Sequence, residues 1–154
     1  MGALATFSTW TDGYPFTQVT SFAEGAEGYP AGTLYFYQSD MDTSMIDISK
    51  NANVSFSITE ATLEGRCRPS ATSLDPESPP CAKATFQGSF VIVPNDTDEY
   101  NAAKKVLVQK HPIMATWPES HDWKIWKLKP VRLWVIDIYG GAADVSPEDY
   151  YNHA

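Results

Sequence analysis

Val54-Ser55-Phe56-Ser57-Ile58-Thr59 alternates apolar and polar side chains from end to end. A period of two belongs to an extended chain with one face buried and the other wet, so this stretch predicts a β-strand. Downstream, Ala84 to Val93 is again rich in strand formers, and Gly88 stands where a bulge would bend it. Upstream, Ala3 to Thr9 and Phe16 to Phe22 read as strands joined through Trp10-Thr11-Asp12-Gly13-Tyr14-Pro15, whose Asp-Gly pair supplies the positive φ of a hairpin turn. A Gly-rich loop, Gly25 to Gly32, leads to Thr33–Tyr37, and Trp123–Leu128 with Val131–Tyr139 makes a final pair joined across Lys129-Pro130. Six or seven strands lie too close together in sequence for helical crossovers, which predicts a mainly β fold with an antiparallel, Greek-key-like sheet. Closure into a small barrel would remove its exposed edges.

Two or three short helices are expected around this sheet. Asp42 can cap one, and Met41, Met45 and Ile48 recur at i, i+4 and i+7 as an apolar stripe that predicts core-facing methionines. Asp96 and Glu99 have the spacing of a capping box for a helix over 97–110, with acids in its first turn, lysines towards its end and Pro112 beyond. Ser146 caps a last turn, Pro147 takes its first position, and Val145 can staple to Tyr150.

The 154 residues are expected to form a single domain over 1–154, interrupted by a Pro-rich insertion loop at 60–82. A net charge of −8 repels phosphate backbones, so no nucleic-acid partner is expected. No apolar run reaches the length of a membrane span, and no membrane insertion is expected. The chain enters its first strand at once, without the basic and apolar regions of a signal peptide, so the protein is either cytosolic or has had its leader removed.

Two features favour removal. Cys67 and Cys81, the only cysteines, bracket the Pro-rich stretch, and a bridge between them would contribute about 3 kcal/mol by loop closure. The alternative, two reduced and buried thiols, stays open on these residues alone. Asn53-Val54-Ser55 and Asn95-Asp96-Thr97 are both acceptor sequons for N-glycosylation.

Four stretches together resemble one family. Gly2-Ala3-Leu4-Ala5-Thr6-Phe7-Ser8-Thr9, Asp75-Pro76-Glu77-Ser78-Pro79-Pro80-Cys81, His111-Pro112-Ile113-Met114-Ala115-Thr116-Trp117-Pro118-Glu119-Ser120-His121-Asp122-Trp123, and Val135-Ile136-Asp137-Ile138-Tyr139-Gly140-Gly141 with Ser146-Pro147-Glu148-Asp149-Tyr150-Tyr151-Asn152 are similar to the CREG family, the cellular repressors of viral-oncoprotein-stimulated genes. The resemblance implies an FMN-binding split β-barrel of the pyridoxamine-phosphate-oxidase type, a homodimer, and a secreted or lysosomal/vacuolar glycoprotein acting in growth and differentiation through protein partners. It also implies the Cys67–Cys81 pairing. Asn95 falls where the family commonly carries a sequon, whereas Asn53 has no counterpart there.

Enzymes of the wider fold hold the FMN phosphate with Arg or Lys from the third strand and the following helix, because a dianion in a partly buried site needs charged donors. Here that region reads Leu34-Tyr35-Phe36-Tyr37-Gln38-Ser39-Asp40-Met41-Asp42-Thr43-Ser44, with two carboxylates and no cation. If FMN binds, the candidates are the hydroxyls of Ser39, Thr43 and Ser44, backbone N–H groups at the helix start, and Lys50. The first functional reading is therefore a non-catalytic dimeric scaffold, and the second an FMN-dependent oxidoreductase acting on a small aromatic or heterocyclic substrate. No catalytic residue stands out. His111 and His121, with Glu119 and Asp122, match no standard metal-ligand spacing, and a packed corner rather than a metal site is expected there. Trp117, Trp123, Trp126 and Trp134 predict an aromatic core or dimer contact, and Asp137 an outward-facing strand position.

Overall fold

The computed structural model describes residues 1–67 and 74–154; positions 68–73, inside the excursion read at 60–82, lie outside the described residues. Its strands are β1 Gly2–Phe7, β2 Pro15–Thr20, β3 Ala23–Glu24, β4 Leu34–Ser39, β5 Asn53–Thr59, β6 Lys83–Ile92, β7 Trp123–Ile136 and β8 Ala143–Val145; its helices are α1 Thr43–Lys50, α2 Asp98–Lys110 and α3 Pro147–His153. The sheet runs β2-β1-β5-β6-β7-β4-β3, antiparallel throughout, with β8 added to β7. The chain leaves β2 at one end of this order and reaches β4 near the other, then returns through α1 to β5 in the middle. That jump is the Greek-key character expected from the sequence.

The curled sheet encloses a core of Leu4, Phe36, Phe56, Phe86, Phe90, Leu128 and neighbours. Phe36 meets Phe56 edge-on at 5.0 Å and lies 4.7 Å from Phe90. A second core lies on the other side of β4 and β7, where Tyr35 and Ile125 pack beneath Ala103 and Leu107 of α2. With a layer on each face, β4 is buried along nearly its whole length, so its sequence shows no apolar–polar alternation: Leu34 to Tyr37 are apolar or aromatic, and Gln38 and Ser39 are buried polar residues. Tyr35 donates its hydroxyl to Glu99 at 2.9 Å, and Lys127 reaches both oxygens of the same carboxylate at 2.7 Å, tying α2 to the sheet.

Several sequence expectations change here. The two strands expected around Lys129-Pro130 are one, β7, because a bulge beside Pro130 interrupts the ladder where the proline has no N–H to give. Register shifts between Gln87 and Gly88, so that Gln87 faces Arg132 and Gly88 faces Pro130, leaving Val131 between them. A Cβ at Gly88 would sit 2.2 Å from the Lys129 carbonyl oxygen; only glycine allows this approach. Met41 is 69% exposed, because α1 starts at Thr43 and the helical period does not extend back to it. Met45 and Ile48 do enter the core. The cap of α2 is Thr97, which accepts the Tyr100 N–H, rather than Asp96. Asp137 is exposed just beyond β7. The expected caps Asp42 and Ser146 are present.

Asp47, in mid-α1, is fully buried. Burial would raise its carboxyl, but the Thr9 N–H at 2.7 Å and the hydroxyls of Thr6 and Thr9 at 2.8 Å outweigh it and hold the group below its ordinary value. One carboxylate thereby fixes the end of β1 and the start of the hairpin turn to α1. At the far end of the chain, Tyr150 of α3 donates to the Gly32 carbonyl at 2.8 Å, and burial, then Glu24, pushes its phenol up to about 12.

Candidate functional site

The barrel is split where β2 and β4, far apart in sheet order, come round to face each other. No backbone ladder joins them; side chains do. The Gln38 amide donates to Thr20 Oγ1, both groups being buried, and the Gln18 amide donates to Asp42 Oδ1 at 2.8 Å. Beside this seam opens a cleft of about 270 Å³, reached by Gln18, Tyr37, Ser39, Asp42, Trp117 and Trp123 among others.

Its aromatic wall is built by the segment between α2 and β7. A 3-10 turn over Pro112–Thr116 and another over Glu119–His121 carry the chain round, and Asp122, at a left-handed φ of 49°, turns it into β7. The Trp123 indole donates to the Pro118 carbonyl at 2.9 Å, and Ser39 donates to the His121 carbonyl at 2.5 Å. These bonds place Trp117 and Trp123 with centroids 4.4 Å apart, stacked on Tyr37 at 5.9 and 5.3 Å. His111 is likewise engaged, its Nε2 2.9 Å from the Phe22 carbonyl. Among the described residues no three His, Cys, Asp or Glu side chains gather as a metal site would require.

The four residues named for a phosphate are only partly brought together. Ser39 borders the cleft, but its hydroxyl already donates to His121 and accepts the Met41 N–H at 3.1 Å. Thr43 is exposed at the start of α1, while Ser44 is fully buried, its hydroxyl without a partner among the described residues. Lys50 is exposed at the opposite end of α1, about 10 Å away along the helix axis. The N-terminus of α1, where an anion would lodge, is taken by the Asp42 carboxylate, which accepts the Ser44 N–H at 2.8 Å. Asp40 is paired with Lys124. These residues do not fit a phosphate dianion, and no step through FMN follows from them.

Sequence reading assigned Asp42 to a cap and the tryptophans to packing, and so missed the cleft they share. Gln18 carried no signal at all, because its role depends on the two sheet edges meeting.

Elsewhere, Cys67 and Cys81 form a disulfide with Cα atoms 5.8 Å apart. Lys83 clamps the returning arm of that loop by donating to the carbonyls of Pro76, Glu77 and Ser78 at 3.0, 2.8 and 3.3 Å. Asn95 is exposed in the turn before α2, and Asn53 is exposed at the start of β5. None of the described helices is long and apolar enough to cross a membrane.

Comparison with known proteins places this architecture. Among solved structures, a heme binding protein from Mycobacterium smegmatis superposes with a TM-score of 0.75 at 21% identity over 98% of this chain and 54% of its own. HutZ, a heme storage protein from Vibrio cholerae, does so with a TM-score of 0.62 at 18% identity over 88% of this chain and 84% of its own. At these identities the likeness is one of fold, a split barrel. In sequence, the chain is 39% identical to Protein CREG1 of Gallus gallus, covering 98% of this chain and 78% of that protein, and 39% identical to Protein CREG1 of Homo sapiens, covering 98% and 67%. It is 33% identical to Protein CREG2 of Mus musculus, of which it spans 52%. The family model for the CREG β-barrel matches residues 1–152, and with these relatives it shows that the chain belongs to the CREG β-barrel family.

Proposed function

We propose that this protein is a secreted or lysosomal/vacuolar glycoprotein that uses its split barrel as a dimeric, non-catalytic binding scaffold. One observation carries the reading: at the start of α1 a carboxylate, Asp42, already occupies the place of an anion, and the neighbouring Asp40 holds Lys124. A barrel so arranged keeps the architecture of a flavoprotein without the charge to hold a flavin phosphate. The Cys67–Cys81 disulfide supports an oxidising compartment, and the exposed sequons at Asn95 and Asn53 suit a glycoprotein.

The dimer reading rests on the outer face of β2-β1-β5-β6-β7. Along one row Val19, Ala3, Ser57, Thr85 and Trp134 are register neighbours, and along the next Thr17, Ala5, Ser55, Gln87 and Arg132. Small side chains in the middle make the face flat, and Val19 at 69% and Trp134 at 45% exposure leave apolar surface on it uncovered. A second copy would cover that surface together with the exposed Phe7 and Val131, which lie beside Ala5, Ser55 and Gln87.

The test is an FMN titration of the secreted protein followed by flavin fluorescence, with heme, the ligand of the heme binding and heme storage proteins that share this fold, titrated alongside. No saturable FMN binding is expected. Binding in the low micromolar range, about −8 kcal/mol, would overturn the non-catalytic reading in favour of the oxidoreductase. Sedimentation of the same sample reads the dimer.

A further inference from the structure

The cleft at the barrel split has one ionised side chain in its lining, Asp42, and no cation among the described residues. The Gln18 amide and the Ser44 N–H both go to Oδ1 of this carboxylate, and no described donor reaches Oδ2. The half-buried rings of Tyr37, Trp117 and Trp123 line the same cleft. Ring faces carry negative potential, and an ammonium within about 6 Å of a centroid is drawn to them. Tyr37 is already engaged, with Lys104 Nζ 5.8 Å from its centroid and both tryptophans stacked on it, so the ring surface left for a ligand is that of Trp117 and Trp123. Of the other polar groups, Gln38 is committed to Thr20 and Ser39 to His121, while the hydroxyls of Ser21 and Tyr37 also line the cleft. The one charge in the lining and its aromatic rings therefore set the class of ligand, a cation. At about 270 Å³ the space suits a small molecule only.

We propose that this cleft binds a small organic cation, a primary ammonium or a quaternary ammonium, held between the Asp42 carboxylate and the Trp117 and Trp123 rings. The inference rests on the cleft being closed to a phosphate, as argued above, and does not depend on dimerisation.

The test uses the secreted protein and choline as the probe, with its uncharged isostere 3,3-dimethylbutan-1-ol and FMN as controls, read through the indole N–H resonances of the tryptophans. Choline should shift Trp117 and Trp123 saturably and leave Trp10 and Trp134 in place, and the isostere should bind at least roughly tenfold more weakly. Asp42→Asn keeps the α1 cap, since asparagine caps as well as aspartate, so the fold is retained while the charge is lost. It should weaken choline by a similar factor. Equal binding of choline and its isostere, or unchanged binding in Asp42→Asn, would overturn the inference. Silence of both choline and FMN would also overturn it while leaving the scaffold reading intact. FMN binding with choline silent would overturn both.

Discussion

The β6–β7 wall and the β2/β4 split hold the same barrel together by different means. Along the wall, ten residue pairs run in continuous register apart from one bulge, and backbone groups satisfy one another. Across the split, side-chain amides of Gln38 and Gln18 replace the ladder. A ladder admits one spacing of about 4.8 Å between strands, whereas side chains of different length admit several. The wall is thus where the fold is specified, and the split is where space for a ligand can open without loss of backbone hydrogen bonds.

The sharpest way to break the wall is Gly88→Ala. Its new Cβ meets the Lys129 carbonyl oxygen at 2.2 Å and the Pro130 Cα at 2.8 Å, both backbone atoms, so the bulge must deform. A loss of about 3 kcal/mol is expected in denaturant unfolding. A loss under about 1 kcal/mol would mean that the wall is as adjustable as the split.

Asp47→Ala comes next. It orphans the Thr9 N–H and two threonine hydroxyls next to the hairpin that leads into β2, at an expected cost of about 2 kcal/mol. The pH dependence follows from the same bonds. Because the carboxyl titrates lower in the folded chain than in the unfolded one, the folded state binds fewer protons. Its stabilisation is complete above the ordinary carboxylate range and fades as the pH falls through the lowered value. Unfolding followed at neutral, mildly acidic and strongly acidic pH should therefore show this contribution retained under mildly acidic conditions, and Asp47→Asn should flatten the acid limb.

Gln38→Ala should have the smallest effect, about 1 kcal/mol, since Thr20 loses one buried partner. Hydrogen exchange sharpens the contrast: β2 amides should speed up in this variant while those of β6 and β7 keep their protection. Uniform acceleration would show that the two regions open as one unit.

How much of this was legible in the sequence can be followed residue by residue. Strand periodicity at 54–59 and the Asp42 and Ser146 caps are local signals, set by the chain's own backbone and its nearest neighbours, and they reappear in the structure; the bulge expected at Gly88 lies instead across from it, at Val131 of β7. Pro130 misled because its meaning depends on the strand opposite. With Gly88 across from it and a bulge beside it, the strand runs on through Pro130 to Ile136, fourteen residues in all. Met41 misled because a helical stripe was extended past the cap that ends it.

By itself, then, the sequence determined the class of the fold, the places where helices begin, the charge of −8 and the absence of a cation near the third long strand, since each depends on composition or on residues a few positions apart. Only tertiary structure decided the cleft. Gln18, Asp42, Trp117 and Trp123 are separated by up to 105 positions, and they become neighbours because a twisted sheet curls until its two edges meet. A meeting of that kind leaves no periodic trace in any one segment.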